Sequence, residues 1–142
     1  MAIFENTLTI DRPIAEVFTY LAEFENIPRW NYAITETRKT SVGPVGVGTT
    51  YLQTRSIPQP AVEEFEVTEF QPTRRLRIRG RLGPFPAVVS YDLEPAPSGT
   101  RLRNTIELGF HGPMRLTSPV VTARIKSAVR ANLDVLRQLF EK

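Results

Sequence analysis

Residues 2–10 alternate, with Phe4, Leu8 and Ile10 on one face and Glu5, Thr7 and Thr9 on the other, which is the period of a half-buried strand. Asp11-Arg12-Pro13 then reads as a helix start, with Asp11 as the N-cap and Pro13 in the first turn. Ile14, Val17, Phe18 and Leu21 follow at i, i+3, i+4 and i+7, predicting an amphipathic helix of about three turns. Asn26-Ile27-Pro28-Arg29-Trp30 reads as a second short helix or turn. From about residue 32 to 110 only strands and turns are expected, over 33–42, 48–57, 62–71, 74–82, 86–95 and 100–110. Gly43-Pro44-Val45-Gly46, Pro58-Gln59-Pro60, Pro72-Thr73, Gly83-Pro84 and Pro97-Ser98-Gly99 supply the turn chemistry between them.

Alternation is clearest in the last three strands. Leu76 and Ile78 point one way, as do Ala87, Val89, Tyr91 and Leu93, and then Leu102, Asn104, Ile106, Leu108 and Phe110. Arg77, Asp92, Glu94, Arg101, Arg103 and Glu107 point the other way. A helix broken or started by Pro119 ends the chain, with Val121, Ile125, Ala128, Val129, Leu136 and Phe140 at three- and four-residue steps. Seven mostly antiparallel strands with one apolar face need a cover, and this helix is the one large amphipathic element on offer. A helix about 10 Å wide cannot cover a sheet of roughly 4.8 Å per strand across seven strands. The sheet must therefore curl around the helix, leaving a space that bulky side chains fill or a ligand occupies. The expected fold class is α+β: a seven-stranded curved antiparallel sheet around a long C-terminal helix, with two short helices after the first strand, in one domain over 1–142.

Composition narrows the chemistry. The 142 residues contain no Cys and one His, which excludes disulfides, thiolate metal sites, cysteine nucleophiles and His-pair metal sites. No apolar run approaches the roughly 20 residues needed to cross a bilayer, and the start, MAIFENTLTI, does not read as a leader, so a soluble, cytoplasmic protein is expected. The net charge of +3 invites a nucleic-acid reading, but Arg74, Arg75, Arg77, Arg79 and Arg81 follow directly on Glu63, Glu64, Glu66 and Glu69. If the two segments are antiparallel neighbours, opposite charges face each other on one solvated surface, and Leu76, Ile78 and Gly80 between the arginines are buried. A charge ladder is the better reading, and no nucleic-acid partner is expected. Gly43, Gly46 and Gly48 are not a phosphate loop, because no Gly-Lys-Ser/Thr follows and they join two strands.

The residues also carry a family resemblance. Ile10-Asp11-Arg12-Pro13, Val17-Phe18-Thr19-Tyr20-Leu21 and Pro28-Arg29-Trp30 resemble the opening of the SRPBCC superfamily (START-like, polyketide cyclase/dehydrase). Gly46-Val47-Gly48-Thr49, Phe65-Glu66-Val67-Thr68-Glu69-Phe70-Gln71-Pro72 with Arg75-Leu76, and Gly99-Thr100-Arg101-Leu102 fit its later strands and hairpins. The resemblance spans essentially the whole chain and implies the helix-grip fold. It further implies a small hydrophobic ligand such as a lipid, polyketide, isoprenoid or quinone, or a cyclase, aromatase or dehydratase activity.

Inward polar residues are the informative ones, since a buried polar group needs a partner or a ligand. Asn6 and Asn104 lie on the apolar faces of the first and last strands, which are neighbours in a helix-grip sheet, so pairing near 6:104 is expected. Their amides would bond each other or jointly hold a ligand carbonyl, and the mutual bond is the preferred reading. Tyr91 faces inward with a hydroxyl able to reach a ligand, core packing being the plainer role. The direction of Tyr51 and Gln53 stays open, and Trp30 is expected at the pocket rim. Ile78, Val89, Ile106, Met114, Ile125 and Val129 complete the expected ligand-contacting wall. His111, Tyr91 and Asn104 are the candidates for an acid–base set if a cyclisation is catalysed. Arg124 is expected to reach solvent along the helix, and residues 109–118 to form a mobile gate. Ionisable inward groups are expected to be nearly absent, which leans toward a binding or carrier role over an enzyme. A cavity-poor interaction module is the third alternative. No cofactor or metal is implied, and the oligomeric state, monomer or homodimer, is left open.

Overall fold

The computed structural model describes residues 2–82, 85–109 and 119–141. Strand β1 (Ala2–Ile10) leads into α1 (Ile14–Ala22), a single 3-10 turn (Phe24–Asn26) and α2 (Ile27–Trp30). Strands β2 (Ile34–Lys39), β3 (Thr50–Arg55), β4 (Ala61–Gln71), β5 (Arg75–Leu82), β6 (Phe85–Ala96) and β7 (Gly99–Leu108) follow, and α3 (Pro119–Phe140) comes last. The strands form one antiparallel sheet in the order β1-β7-β6-β5-β4-β3-β2. The sheet curls around α3, as the mismatch between its apolar face and one helix requires. Among the described residues no helix is long and apolar enough to cross a membrane.

Two details of the opening differ from the sequence expectation. Asp11 does not cap α1: Pro13 occupies the N-cap with extended backbone, and its carbonyl accepts from Glu16 N at 3.0 Å and Val17 N at 3.1 Å. Asp11 lies two residues too early, in a tight turn closed by Arg12 N donating to Ile10 O. Its carboxylate instead accepts from Ser98 Oγ at 2.9 Å, while Thr100 Oγ1 donates to Arg12 O at 2.8 Å. These bonds fasten the β1–α1 connection to the β6–β7 hairpin. The contact needs a glycine: a Cβ on Gly99 would stand 2.3 Å from Ile10 O.

Two apolar clusters fill the concave side. The larger joins Val17, Phe18 and Leu21 of α1, Phe24, Ile27 and Trp30 to Leu133, Leu136 and Phe140 of α3, against inward residues of the sheet. The smaller gathers Phe4, Ala87, Ile106 and Leu108. On the convex side the expected charge ladder is present: Arg79–Glu66 at 3.6 Å, Arg77–Glu69 at 3.4 Å, and Arg75 to Glu69 at 2.9 Å and Asp92 at 3.4 Å. These side chains are a quarter to two-thirds exposed, so each pair contributes about 0–1 kcal/mol, and their role is to neutralise the arginines.

Gly80 marks where the sheet coils most tightly. A Cβ there would sit 2.6 Å from both Glu64 O and Phe65 Cβ on β4, which are backbone or backbone-anchored atoms that cannot swing aside. Gly80→Ala is therefore expected to lower stability by about 1–3 kcal/mol. Urea unfolding checks this, and a loss below about 0.5 kcal/mol would show that β5 has room to move away from β4.

Candidate functional site

Antiparallel register sets the inward side chains of neighbouring strands in rows. One row is apolar: Phe4, Ile106, Val89, Ile78 and Val67 lie side by side across β1, β7, β6, β5 and β4. The next row carries Asn6, Asn104, Tyr91, Leu76 and Phe70. Beyond it Leu8, Leu102 and Leu93 form a third, apolar again. The predicted Asn6–Asn104 pairing is thus present in register, as a polar strip between two greasy ones.

The two amides do not bond each other. Asn104 Nδ2 donates to Ser90 O at 3.4 Å, and among the described residues neither its Oδ1 nor Asn6 Nδ2 has a hydrogen-bond partner. Both residues are buried, at 2% and 8% exposure, so each unmet group costs about 1–3 kcal/mol unless something else satisfies it. Tyr91 beside them is buried, and desolvation raises its hydroxyl pKa above the ordinary tyrosine range.

Tyr51 and Gln53, whose direction the sequence left open, both face inward. Tyr51 stacks on Phe65 with centroids 4.9 Å apart and meets Phe24 edge-on at 5.1 Å. Its hydroxyl is buried without a hydrogen-bond partner among the described residues. Burial first, and the charge of Glu25 second, push its pKa from 10.0 up to about 12.

Beside Tyr51 lies a group that the sequence reading misassigned. Glu63 is not on the solvated face; it is 3% exposed and turned inward. Arg55 Nε donates to its Oε2 at 2.9 Å, Gln53 Nε2 donates to its Oε1 at 2.8 Å, and Arg55 Nη1 reaches Ile57 O at 3.5 Å. The expectation that inward ionisable groups are nearly absent is therefore wrong. Parity carried the signal: counting back by twos from buried Val67 and Phe65 reaches Glu63, and Tyr51, Gln53 and Arg55 share one parity on β3. The charge pattern of the neighbouring glutamates outweighed it, because Glu64 and Glu66 do face outward.

Of the other predicted residues, Ile106 is buried, while Ile78, Val89, Ile125 and Val129 are only half-buried despite packing on the inner side. Trp30 is buried in the larger cluster, deeper than a rim position. Arg124 is exposed, in keeping with the solvent-reaching role. His111, Met114 and all of the expected gate except Gly109 lie outside the described residues. A separate hollow of about 550 Å³ lies between α1 and the C-terminal end of α3, lined by Arg12, Ala15, Glu16, Thr19, Tyr20, Glu23, Leu139 and Phe140. Arg12 Nε there donates to Phe140 O at 2.7 Å, and no unpartnered buried atom faces this hollow among the described residues.

Two outcomes follow. Glu63→Leu strands a buried guanidinium and is expected to cost about 3–5 kcal/mol in denaturant unfolding, whereas Arg55→Met with Glu63→Leu should be near neutral. Equal losses in both would show that the pair does not act as a unit. For Tyr51, a raised folded pKa means its contribution is complete below pH 10 and is lost as pH climbs toward about 12. Tyr51→Phe should therefore flatten the alkaline fall in unfolding temperature across that window; an unchanged fall would place the ionisation elsewhere.

Comparison with known proteins agrees with this architecture. The family described as "Polyketide cyclase / dehydrase and lipid transport" matches residues 1–141. An uncharacterised protein of Mycobacterium tuberculosis is 29% identical over 142 residues, covering 96% of this chain and 83% of the relative. Among solved structures, a START superfamily protein from Mycobacterium smegmatis superposes with a TM-score of 0.81 at 14% identity, covering 98% of this chain and 97% of that one. The di-domain ARO/CYC StfQ from the steffimycin biosynthetic pathway gives a TM-score of 0.76 at 14% identity, covering 98% of this chain and 50% of that one. With its curled seven-stranded sheet, gripped helix and a family match running almost end to end, the chain belongs to the polyketide cyclase/dehydrase and lipid transport family.

Proposed function

We propose that this protein binds or carries a small hydrophobic ligand between the concave face of the sheet and α3. The observation that carries this reading is the seam between the two apolar clusters. Ile78, Val89, Ile125 and Val129 are apolar and packed on the inner side, yet each keeps part of its surface accessible. Interiors pack to the density of organic crystals, so apolar side chains left half-open on an inner face are a wall awaiting contact. Covering about 300 Å² of such surface at ~25 cal/mol per Å² contributes roughly 7 kcal/mol before association costs. Asn6, Tyr91, Asn104, Tyr51 and Gln53 supply polar groups that orient the ligand, and Ile106 lies in the apolar row beside them.

A second reading, a cyclase or dehydratase using the same space, is supported by the buried Arg55–Glu63 pair. Against it, Glu63 is held by both Arg55 and Gln53, and burial makes Tyr91 a reluctant proton donor. Carriage is the better-supported of the two.

Purified protein is expected to hold an apolar adduct in native mass spectrometry, or, once delipidated, to bind an environment-sensitive lipophilic dye saturably. Val129→Trp, filling the seam, should weaken dye binding about tenfold or more with the far-ultraviolet circular dichroism unchanged. Dye binding untouched by that change, or absent from the delipidated native protein, would defeat the reading.

A further inference from the structure

We infer that the Asn6–Asn104 strip is a built recognition site for an uncharged ligand head that carries a carbonyl next to a hydroxyl or N–H. This rests on the ligand-binding reading above and narrows it to a chemical class. The orientation of Asn104 is set by the sheet: its Nδ2 must donate to Ser90 O, since two oxygens would repel there, so its Oδ1 faces away as an acceptor. Asn6, directly opposite in register, offers Nδ2 as a donor. Both atoms are buried and unsatisfied among the described residues.

The rows on either side are apolar, Phe4, Ile106 and Val89 on one and Leu8, Leu102 and Leu93 on the other. A donor and an acceptor side by side in such surroundings select for the complementary pair on one small group. A primary amide, a lactam or a β-hydroxy ketone presents an acceptor for Asn6 Nδ2 and a donor for Asn104 Oδ1. An ionised carboxylate presents acceptors only, and would set negative charge against Asn104 Oδ1. An ester likewise has nothing to donate. The strip therefore discriminates among ligands of equal chain length by their heads, while the apolar rows hold the chain.

The test uses the delipidated full chain and displacement of the bound lipophilic dye by dodecanamide, methyl dodecanoate and dodecanoate. Dodecanamide is expected to compete about tenfold better than the ester, the worth of one hydrogen bond in a dry site. Asn6→Leu should weaken the amide and the ester alike, because both carbonyls accept from Asn6 Nδ2, whereas Asn104→Leu, which removes the acceptor for the amide N–H, should bring the amide down to the ester's affinity. Because Asn6 Nδ2 is unsatisfied without ligand, Asn6→Leu should leave the ligand-free unfolding temperature unchanged or raised. Two results overturn the inference while leaving the hydrophobic-ligand reading standing: equal displacement by amide and ester in the native sequence, or a lowered unfolding temperature in Asn6→Leu, which would mean the two amides bond each other. Failure of the native protein to bind dye at all would instead remove the parent reading, and this inference with it.

Discussion

One helix cannot cover the apolar face of seven strands, and nearly every feature of this structure answers that constraint. The sheet coils until Gly80 on β5 touches the backbone of β4. α1, the 3-10 turn and α2 seal one region, with Phe18, Phe24 and Trp30 as wedges. α3 closes over the rest through Leu133, Leu136 and Phe140. What the described N-terminal elements and the C-terminal half of α3 leave only half-buried is the inner-side row of Ile78, Val89, Ile125 and Val129. The proposed binding space is thus a consequence of the same shortfall that curls the sheet, and it required no separate device.

Charge is partitioned by the two faces of that sheet. On the convex side arginines and glutamates meet across neighbouring strands in water, where pairing costs little and contributes little. On the concave side Arg55 and Glu63 form a pair that solvent barely reaches, and there the energetic stakes are reversed: the pair is tolerable together and costly when broken. Gln53 completes it by satisfying the second carboxylate oxygen. The inner polar groups therefore divide into two kinds. The Arg55–Glu63 pair, with the Nε2 of Gln53, meets its needs within the protein, whereas Asn6, Asn104 and Tyr51 are left with capacity that the described residues do not meet.

Much of this was legible in one sequence. The period-two alternation of β5, β6 and β7 and the three- and four-residue spacing of α1 and α3 depend only on which side of a local element faces water. Tyr91 and Asn104 face inward on that basis alone, and the opposition of Asn6 to Asn104 follows from β1 and β7 being neighbours. The strand ends moved by a few residues, as in β2, which stops at Lys39 before the loop carrying Gly43 and Gly48.

The sequence by itself determined the elements, their order and, where alternation is clean as in β5–β7, the side a residue presents, because these follow from local backbone geometry and from burial along one strand or helix; Glu63, Tyr51 and Gln53 needed the assembled sheet. The sequence did not determine what each inward polar atom would meet. Glu63 found Arg55 because β3 and β4 align their inner faces, setting Glu63 opposite Gln53 and diagonal to Arg55, and Asn104 turned to Ser90 instead of Asn6 because a carbonyl of β6 lay within reach. Such outcomes turn on distances of a fraction of an ångström between strands far apart in sequence, and only the assembled sheet sets them.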